Sequence, residues 1–252
     1  MRFQDKTAIV TGATSGIGEA VAERLADEGA SLLICGRNAA RGEAVASRLT
    51  DKGARVIFHR ADLTERGAPD QLATLARKSF ERLDVLVNNA GILFRGSALR
   101  CTDEEWDATI ATNVTAVFRV SRAILRLMVA QRSGAIVNIA SDWALVGAQN
   151  AVAYGVSKGA VAQLTRSMAI DHARDGIRVN AVCPGDTDTP MLDGAMQTAD
   201  RDRGLAALGA AIPLGRVATP AEIAAAVAFL ASDDASFMTG ALMAVDGGNS
   251  AQ

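Results

Sequence analysis

Tyr154 is the only tyrosine in the chain, and Lys158 stands four residues after it. On a helix this spacing puts both side chains on one face. A free phenol, with a pKa near 10, is a poor base, and a neighbouring ammonium favours the phenolate by Coulomb attraction. A fall of about three units needs roughly 4 kcal/mol, which two close cations in a low-dielectric site supply. A phenol tuned in this way exchanges a proton with a bound oxygen atom. Ser141, thirteen residues before Tyr154, offers a hydroxyl that can orient and polarise the same oxygen. Taken singly, a Tyr and Lys at this spacing also suit a solvated helix face, and a Ser after a strand also suits a helix cap.

These residues need a scaffold, and the hydrophobic pattern predicts one. Seven short apolar runs read as strands: Thr7 to Thr11, Ser31 to Cys35, Arg55 to Arg60, Val85 to Asn88, Ala135 to Ile139, Arg178 to Val182 and Leu242 to Val245. Between them lie helix-period segments from Gly16 to Glu28, Ala39 to Asp51, Pro69 to Arg82, Thr102 to Gln131, Val152 to Arg174 and Pro220 to Ala231. Alternation of this kind predicts an α/β fold: a doubly wound, Rossmann-type parallel sheet of seven strands with helices on both faces. Gly29 and Gly53 stop two helices, and Thr219-Pro220 starts another with a capping hydroxyl. Ser141 and Tyr154 then fall at the carboxyl side of the sheet, where such folds bind ligands.

Between the first strand and first helix runs Thr11-Gly12-Ala13-Thr14-Ser15-Gly16-Ile17-Gly18, with glycines spaced G-x3-G-x-G. Glycines there permit a tight turn and bring backbone N–H groups and the positive end of a helix dipole to a pyrophosphate. Such a turn also serves purely structural ends; its strand-turn-helix setting is what points to a dinucleotide. At the end of the second strand an acidic residue would mark a free ribose hydroxyl and hence NAD. The chain instead reads Cys35-Gly36-Arg37-Asn38. A small residue followed by a guanidinium suits a 2'-phosphate, so NADP(H) is expected over NAD(H). The positively charged nicotinamide ring is then the second cation beside Tyr154.

Length and composition set the outer limits. A chain of 252 residues, 49% apolar and 21% charged, is globular and is expected to form one domain spanning 1–252. Lys plus Arg (26) nearly balances Asp plus Glu (28), so neither nucleic acid nor an anionic membrane is an expected partner. Three widely spaced cysteines, Cys35, Cys101 and Cys183, suggest neither a disulfide framework nor a zinc site and suit a reducing cytoplasm. No signal-peptide pattern or run of 18 apolar residues occurs, so a soluble cytoplasmic protein is expected. The stretch 187–217 lacks a clear period and follows a strand's carboxyl end, which predicts a substrate lid.

The combination resembles the short-chain dehydrogenase/reductase family from Lys6 to Gly248. The matching pieces are the turn at 11 to 18, Asp62-Leu63, Asn88-Asn89-Ala90-Gly91, Asn113, Ser141, Tyr154 with Lys158, and Pro184-Gly185. The resemblance implies an NAD(P)-binding enzyme that moves a hydride between nicotinamide and a secondary alcohol or ketone. It implies that Tyr154 is the acid/base, that Lys158 lowers its pKa and holds the nicotinamide ribose, and that Ser141 binds the substrate oxygen. It further implies that Asn113 positions a proton-relay water, Asp62 contacts adenine, and Asn89 stabilises the sheet beside the cofactor. Gly12, Thr14, Ser15, Gly16, Ile17, Gly18, Arg37, Asn38, Asp62, Leu63, Asn89, Ala90, Gly91, Pro184, Gly185, Thr187 and Thr189 complete the expected cofactor set with Tyr154 and Lys158. The chain departs from the family after Pro184-Gly185, where Asp186-Thr187-Asp188-Thr189 replaces the usual aliphatic residue.

Phe94, Arg95, Asp142, Trp143, Gln149, Asp186 and Leu192 are expected to face the substrate. Asp142 or Asp186 can accept hydroxyls of a polyol or sugar; either can equally cap a helix or face solvent. A 3-oxoacyl-carrier reductase remains open, because Arg119, Arg122 and Arg126 share a helix face on which an acidic carrier can dock. A non-catalytic nicotinamide sensor also remains open on fold alone. Gly155 and Gly159 each cost a helix about 1 kcal/mol relative to alanine, so close approach of another helix is expected to compensate. The family's helix-mediated assemblies imply a homotetramer, and Phe237 to Val245 reads as an edge strand that another subunit covers.

Overall fold

Each apolar run becomes a parallel strand of one sheet. The structure, a computed structural model, describes residues 1–196 and 200–252. Its strands are β1 Thr7–Thr11, β2 Ser31–Gly36, β3 Val56–Arg60, β4 Val85–Asn88, β5 Gly134–Ile139, β6 Ile177–Pro184 and β7 Leu242–Val245. Their spatial order is β3-β2-β1-β4-β5-β6-β7. Strands β1 and β4 are buried throughout, as a sheet covered on both faces requires. The chain winds outward through β2 and β3, then returns to place β4 beside β1. This reversal opens a crevice at the carboxyl ends of β1 and β4.

The helices are α1 Gly16–Asp27, α2 Ala39–Asp51, α3 Ala68–Ser79, α4 Asp103–Ile110, α5 Val117–Gln131, α6 Val152–His172, α7 Arg201–Gly209 and α8 Pro220–Ala231. Val21 and Leu25 of α1 and Ile223 and Val227 of α8 fill one face of the sheet. Leu72 of α3, Ile124 and Met128 of α5 and Met168 of α6 fill the other. Thr219 caps α8 in a reciprocal pair with Glu222, and Gly29 and Gly53 take the positive φ that ends a helix.

The third helix stops at Ser79 rather than Arg82, because Phe80 turns to extended backbone. The expected helix from Thr102 to Gln131 is interrupted by a π turn at Ala111–Ala116. Thr102 itself is the cap of α4, paired with Glu105. The π turn carries Asn113, whose side chain bonds both the N–H and the C=O of Ile92 at 2.9 Å. A wide turn inside a helix often marks a functional position.

A buried polar ladder fixes the catalytic helix on the sheet. Asn88 Nδ2 donates to Ser121 Oγ of α5 (2.9 Å) and to Asn138 Oδ1 of β5 (2.8 Å), and Asn138 Nδ2 donates to Thr165 Oγ1 of α6 (2.8 Å). Satisfied networks of this kind specify one register, because an orphaned buried amide costs about 1–3 kcal/mol.

The predicted lid begins and ends at one point. Thr187 and Ala218 form a parallel bridge, with Asp188 N donating to Ala218 O and Ala218 N to Asp186 O. Between these feet, Pro190–Ala195 is a 3-10 helix and α7 follows. Arg201 ties the two by ion pairs to Asp188 and Asp193. Residues 197–199 of this stretch lie outside the described residues.

Candidate active site

The glycine-rich turn is built as its composition requires. Gly12 and Gly16 have φ of +64° and +58°, and a Cβ on Gly12 would lie 2.8 Å from the Ala90 Cα. Ser15 precedes α1 without a side-chain capping bond. The first N–H groups of that helix are therefore not claimed by this cap. Asn89 Nδ2 donates to the carbonyls of Thr11 and Gly12 at 3.0 Å, stapling β4 to the turn. This is the sheet-stabilising place expected of Asn89. Gly18 does not line the crevice; a Cβ there would come within 2.3 Å of Gly12 O and Asn89 Nδ2, so its smallness serves packing.

A groove of about 680 Å³ runs along this turn, lined among others by Thr14, Ser15, Ile17, Arg37, Asn38, Asp62, Leu63, Ala90 and Gly91. Asn38 caps α2 by accepting from Arg41 N (2.9 Å). Asp62 accepts from the N–H and hydroxyl of Thr64 (3.0 and 2.7 Å), which hold its carboxyl below the usual range. Arg37 makes no ion pair among the described residues. Arg41 lines the groove beside it, and Arg60, from the end of β3, joins Arg37 around an adjoining hollow. Neither Arg41 nor Arg60 was expected, because only the sheet order shows that the ends of β2 and β3 and the start of α2 meet. The glycine cradle suits a dinucleotide's pyrophosphate, and Arg37, Arg41 and Arg60 gather at its far end beside Asp62 and Glu65.

The groove adjoins a smaller pocket that contains Ser141, Asp142, Trp143, Tyr154, Lys158, Pro184, Gly185, Asp186, Thr187, Thr189 and Leu192. Arg95 also faces it. Ile17, Asn89, Gly91, Leu93, Thr189 and Met191 line both, so the two are continuous. Leu93 and Met191 are walls that periodicity did not single out. Two expected substrate residues fall elsewhere. Gln149 is exposed on the loop before α6 and lines neither space, and Phe94 lies on the groove. A cavity of about 560 Å³ at the opposite end of the sheet, bordered by Lys6, Asp84, Arg178 and Phe237, contains none of the candidate residues.

Tyr154 and Lys158 lie on α6 as expected, with the lysine ammonium over the phenol ring. Lys158 Nζ donates to Ile139 O (2.7 Å) and is 5.4 Å from the Tyr154 ring centroid. Burial pushes this lysine down to about 8. The phenol moves up rather than down: burial is the main cause, Asp142 and Asp186 add to it, and the Ser141 hydroxyl opposes it. The expected lowering therefore does not come from the protein's own charges. Trp143 packs edge-on to Tyr154 with centroids 5.6 Å apart, and the Arg95 guanidinium lies 5.4 Å from the Trp143 ring. Asn113 is fully buried, and its Nδ2 also donates to Ser157 Oγ (3.1 Å), so its side chain is committed to the fold.

The two pocket carboxylates differ. Asp142 is satisfied internally by Ser141, Trp143 N and Asn249. Asp186 accepts no side-chain hydrogen bond among the described residues; burial and then Asp142 push it up, while Arg95 pulls it down. On α5 each arginine of the basic stripe has a neighbour: Arg119 donates to Thr64 O, Arg122 lies over Phe118, and Arg126 pairs with Asp70.

Known proteins resemble the chain along nearly its whole length. Residues 12–250 match a family model described as enoyl-(acyl carrier protein) reductase. A cis-4-hydroxycyclohexanecarboxylate dehydrogenase of Sinomonas cyclohexanicum is 44% identical over 99% of this chain and 98% of its own. A meso-2,3-butanediol dehydrogenase of Serratia marcescens is 39% identical over 100% and 97%. The crystal structure of a levodione reductase superposes with a TM-score of 0.94 at 35% identity, covering 99% of both chains. The chain belongs to the short-chain dehydrogenase/reductase family. It is an oxidoreductase of alcohols and ketones, from a family that uses nicotinamide cofactors. Among the described residues no helix is long and apolar enough to cross a membrane.

Proposed function

We propose that the protein transfers a hydride between NADP(H) and a polar secondary alcohol or ketone, with Tyr154 as acid/base. The observation that carries this is the meeting, in one crevice, of Ser141, Tyr154 and Lys158 with a glycine cradle that ends at Arg37. The turn from Gly12 to Ile17 suits the pyrophosphate, Asp62 and Leu63 the adenine end, and Thr187 and Thr189 the nicotinamide end. When bound, the nicotinamide supplies or accepts the hydride. Tyr154 gives its proton to the substrate oxygen during reduction and recovers it during oxidation. Burial keeps the phenol protonated, the form from which a general acid donates.

Two pocket groups, Asp186 and Arg95, give the substrate its shape. Asp186 accepts a second hydroxyl, as a diol or sugar offers, and Arg95 pairs with a carboxylate. The named substrates of the relatives carry one or the other. A panel of hydroxyketones and ring oxo acids is therefore the place to begin. The three free cysteines suit a cytoplasmic site of action.

Cofactor choice is read by titrating the protein with NADPH and NADH and following reduced-nicotinamide fluorescence. NADPH is expected to bind about 10- to 100-fold more tightly, as one charged contact supplies. Arg37→Ala is expected to lose most of that margin. Tighter NADH binding by the unsubstituted protein overturns the assignment.

A homotetramer is part of the same proposal. Beyond its own helix backbone, no described atom comes within 4 Å of a Cβ built on Gly159, and one on Gly155 meets only Trp143 O at 3.9 Å. Val156, Ile170 and Phe118 are exposed around them, and Phe237 is fully exposed beside the edge strand β7. Light scattering at micromolar concentration is expected to give four times the chain mass; a monomer mass rejects this.

A further inference from the structure

Ser141 has one hydroxyl proton, for which the Asp142 carboxylate and the Tyr154 oxygen compete, and the contact to Asp142 is the one the fold makes shortest. Ser141 Oγ donates to Asp142 Oδ1 at 2.8 Å. Trp143 N lies 3.2 Å from Ser141 Oγ and 2.9 Å from the same carboxylate oxygen, donating to both. Asn249 Nδ2 holds the other oxygen, Oδ2, at 2.8 Å. Ser141 and Asp142 are 6% and 4% exposed, so water does not readily exchange these partners. An ionised carboxylate can only accept, and a serine has one proton to give. While Asp142 is charged, Ser141 can therefore accept a hydrogen bond but has none to offer a carbonyl oxygen.

This conflicts with the task proposed for Ser141, since a carbonyl oxygen gaining negative charge needs a donor. We propose that Asp142 is a positioning residue that sets the direction of the Ser141 hydroxyl, so that Ser141 polarises a substrate carbonyl only when Asp142 holds a proton. Asp142 Oδ1–H then donates to Ser141 Oγ, and the serine proton turns into the pocket. No bond to a heavy atom forms or breaks, and Asp142 keeps its proton throughout. The inference rests on the reading above, in which Ser141 binds the reacting oxygen.

The groups around Asp142 act in both directions. Asn249, Trp143 N and Ser141 favour the anion. Burial and Asp246, beyond β7, favour the neutral acid, and the net direction is upward. Asp186, after β6, and Tyr154, on α6, also couple to Asp142 and penalise its charge once they are themselves negative. Cys183, on β6, is held as a neutral thiol, pushed up to about 11. Lys158, on α6, directs its ammonium to Ile139 O.

Two measurements on the full-length protein decide the matter. The first is a carbon-detected NMR titration of the aspartate carboxyls, with the Asp142 signal assigned by its loss in Asp142→Ala. The second is kcat for ketone reduction with NADPH from pH 5 to 9, using the fastest ketone of the panel above. The Asp142 carboxyl is expected to titrate above the ordinary value near 3.9, and Asn249→Ala to move that inflection further up in both measurements. The ratio of Asp142→Ala to unsubstituted kcat is expected to rise about tenfold or more across the range, because the variant frees the Ser141 proton at every pH. A flat ratio alongside normal turnover overturns the inference alone, as does an unshifted inflection in Asn249→Ala. Absence of turnover with every ketone overturns the functional reading and the inference together. If Asp142→Ala fails to fold, the Asn249→Ala shift of the kcat inflection carries the decision, with the Asp142 signal identified as the aspartate carboxyl that moves in step with it.

Discussion

Tyr154→Phe is expected to lower kcat for ketone reduction by about 10²- to 10⁴-fold while NADPH still binds with nearly its original affinity. The ring stays in place against Trp143, so packing survives and only the proton donor is lost. General acid catalysis by one positioned group supplies a factor of this size. Steady-state rates together with a fluorescence titration check the expectation. The same variant separates an enzyme from a nicotinamide sensor, since a sensor has no turnover to lose and would respond to the cofactor as before.

Lys158→Met is expected to act on stability and activity in opposite directions. The ordinary lysine pKa of 10.5 falls to about 8 in the folded chain because burial disfavours the ammonium. A cation with a lowered folded pKa destabilises the fold below that pKa. The penalty is fully present below about pH 8 and is relieved as pH rises from about 8 to 10.5. Two and a half units correspond to on the order of 3 kcal/mol, offset in part by the lost bond to Ile139 O. Denaturant unfolding at pH 7 is thus expected to show a more stable variant, with a smaller rise toward pH 10 than the unsubstituted protein. Turnover is expected to fall about a hundredfold, because the cation expected to hold the nicotinamide ribose is lost. A variant that is less stable at pH 7, with the same pH slope, contradicts the assignment of Lys158 as a strained, functional cation.

Much of the frame was legible because its signals are local. Alternating strand and helix periods placed every strand to within a few residues, and the G-x3-G-x-G turn and the Tyr154–Lys158 spacing each lie within one short segment. What was not legible depends on contacts between distant segments. Asn249 reaches Asp142 across 107 residues, and that contact, added to those of Ser141 and Trp143 N, satisfies the carboxylate within the fold. Arg60 joins Arg37 through the pairing of β2 with β3. Gln149 was expected to face the substrate, yet the loop before α6 carries it outward. The π turn has no compositional mark, since its geometry is set by the bonds Asn113 makes to Ile92. The phenol's upward shift was missed because spacing reveals the neighbouring lysine but not the burial that outweighs it.

The central claim is hydride transfer, and isotopic labelling tests it most directly. NADPH carrying deuterium at the transferable C4 position is incubated with the protein and the panel of hydroxyketones and ring oxo acids, and the products are examined by mass spectrometry. The expected result is an alcohol one mass unit heavier, with deuterium on the carbinol carbon, formed at least about a hundredfold more slowly when Tyr154→Phe replaces the unsubstituted protein. Tight NADPH binding with no label transferred to any carbonyl would contradict the account.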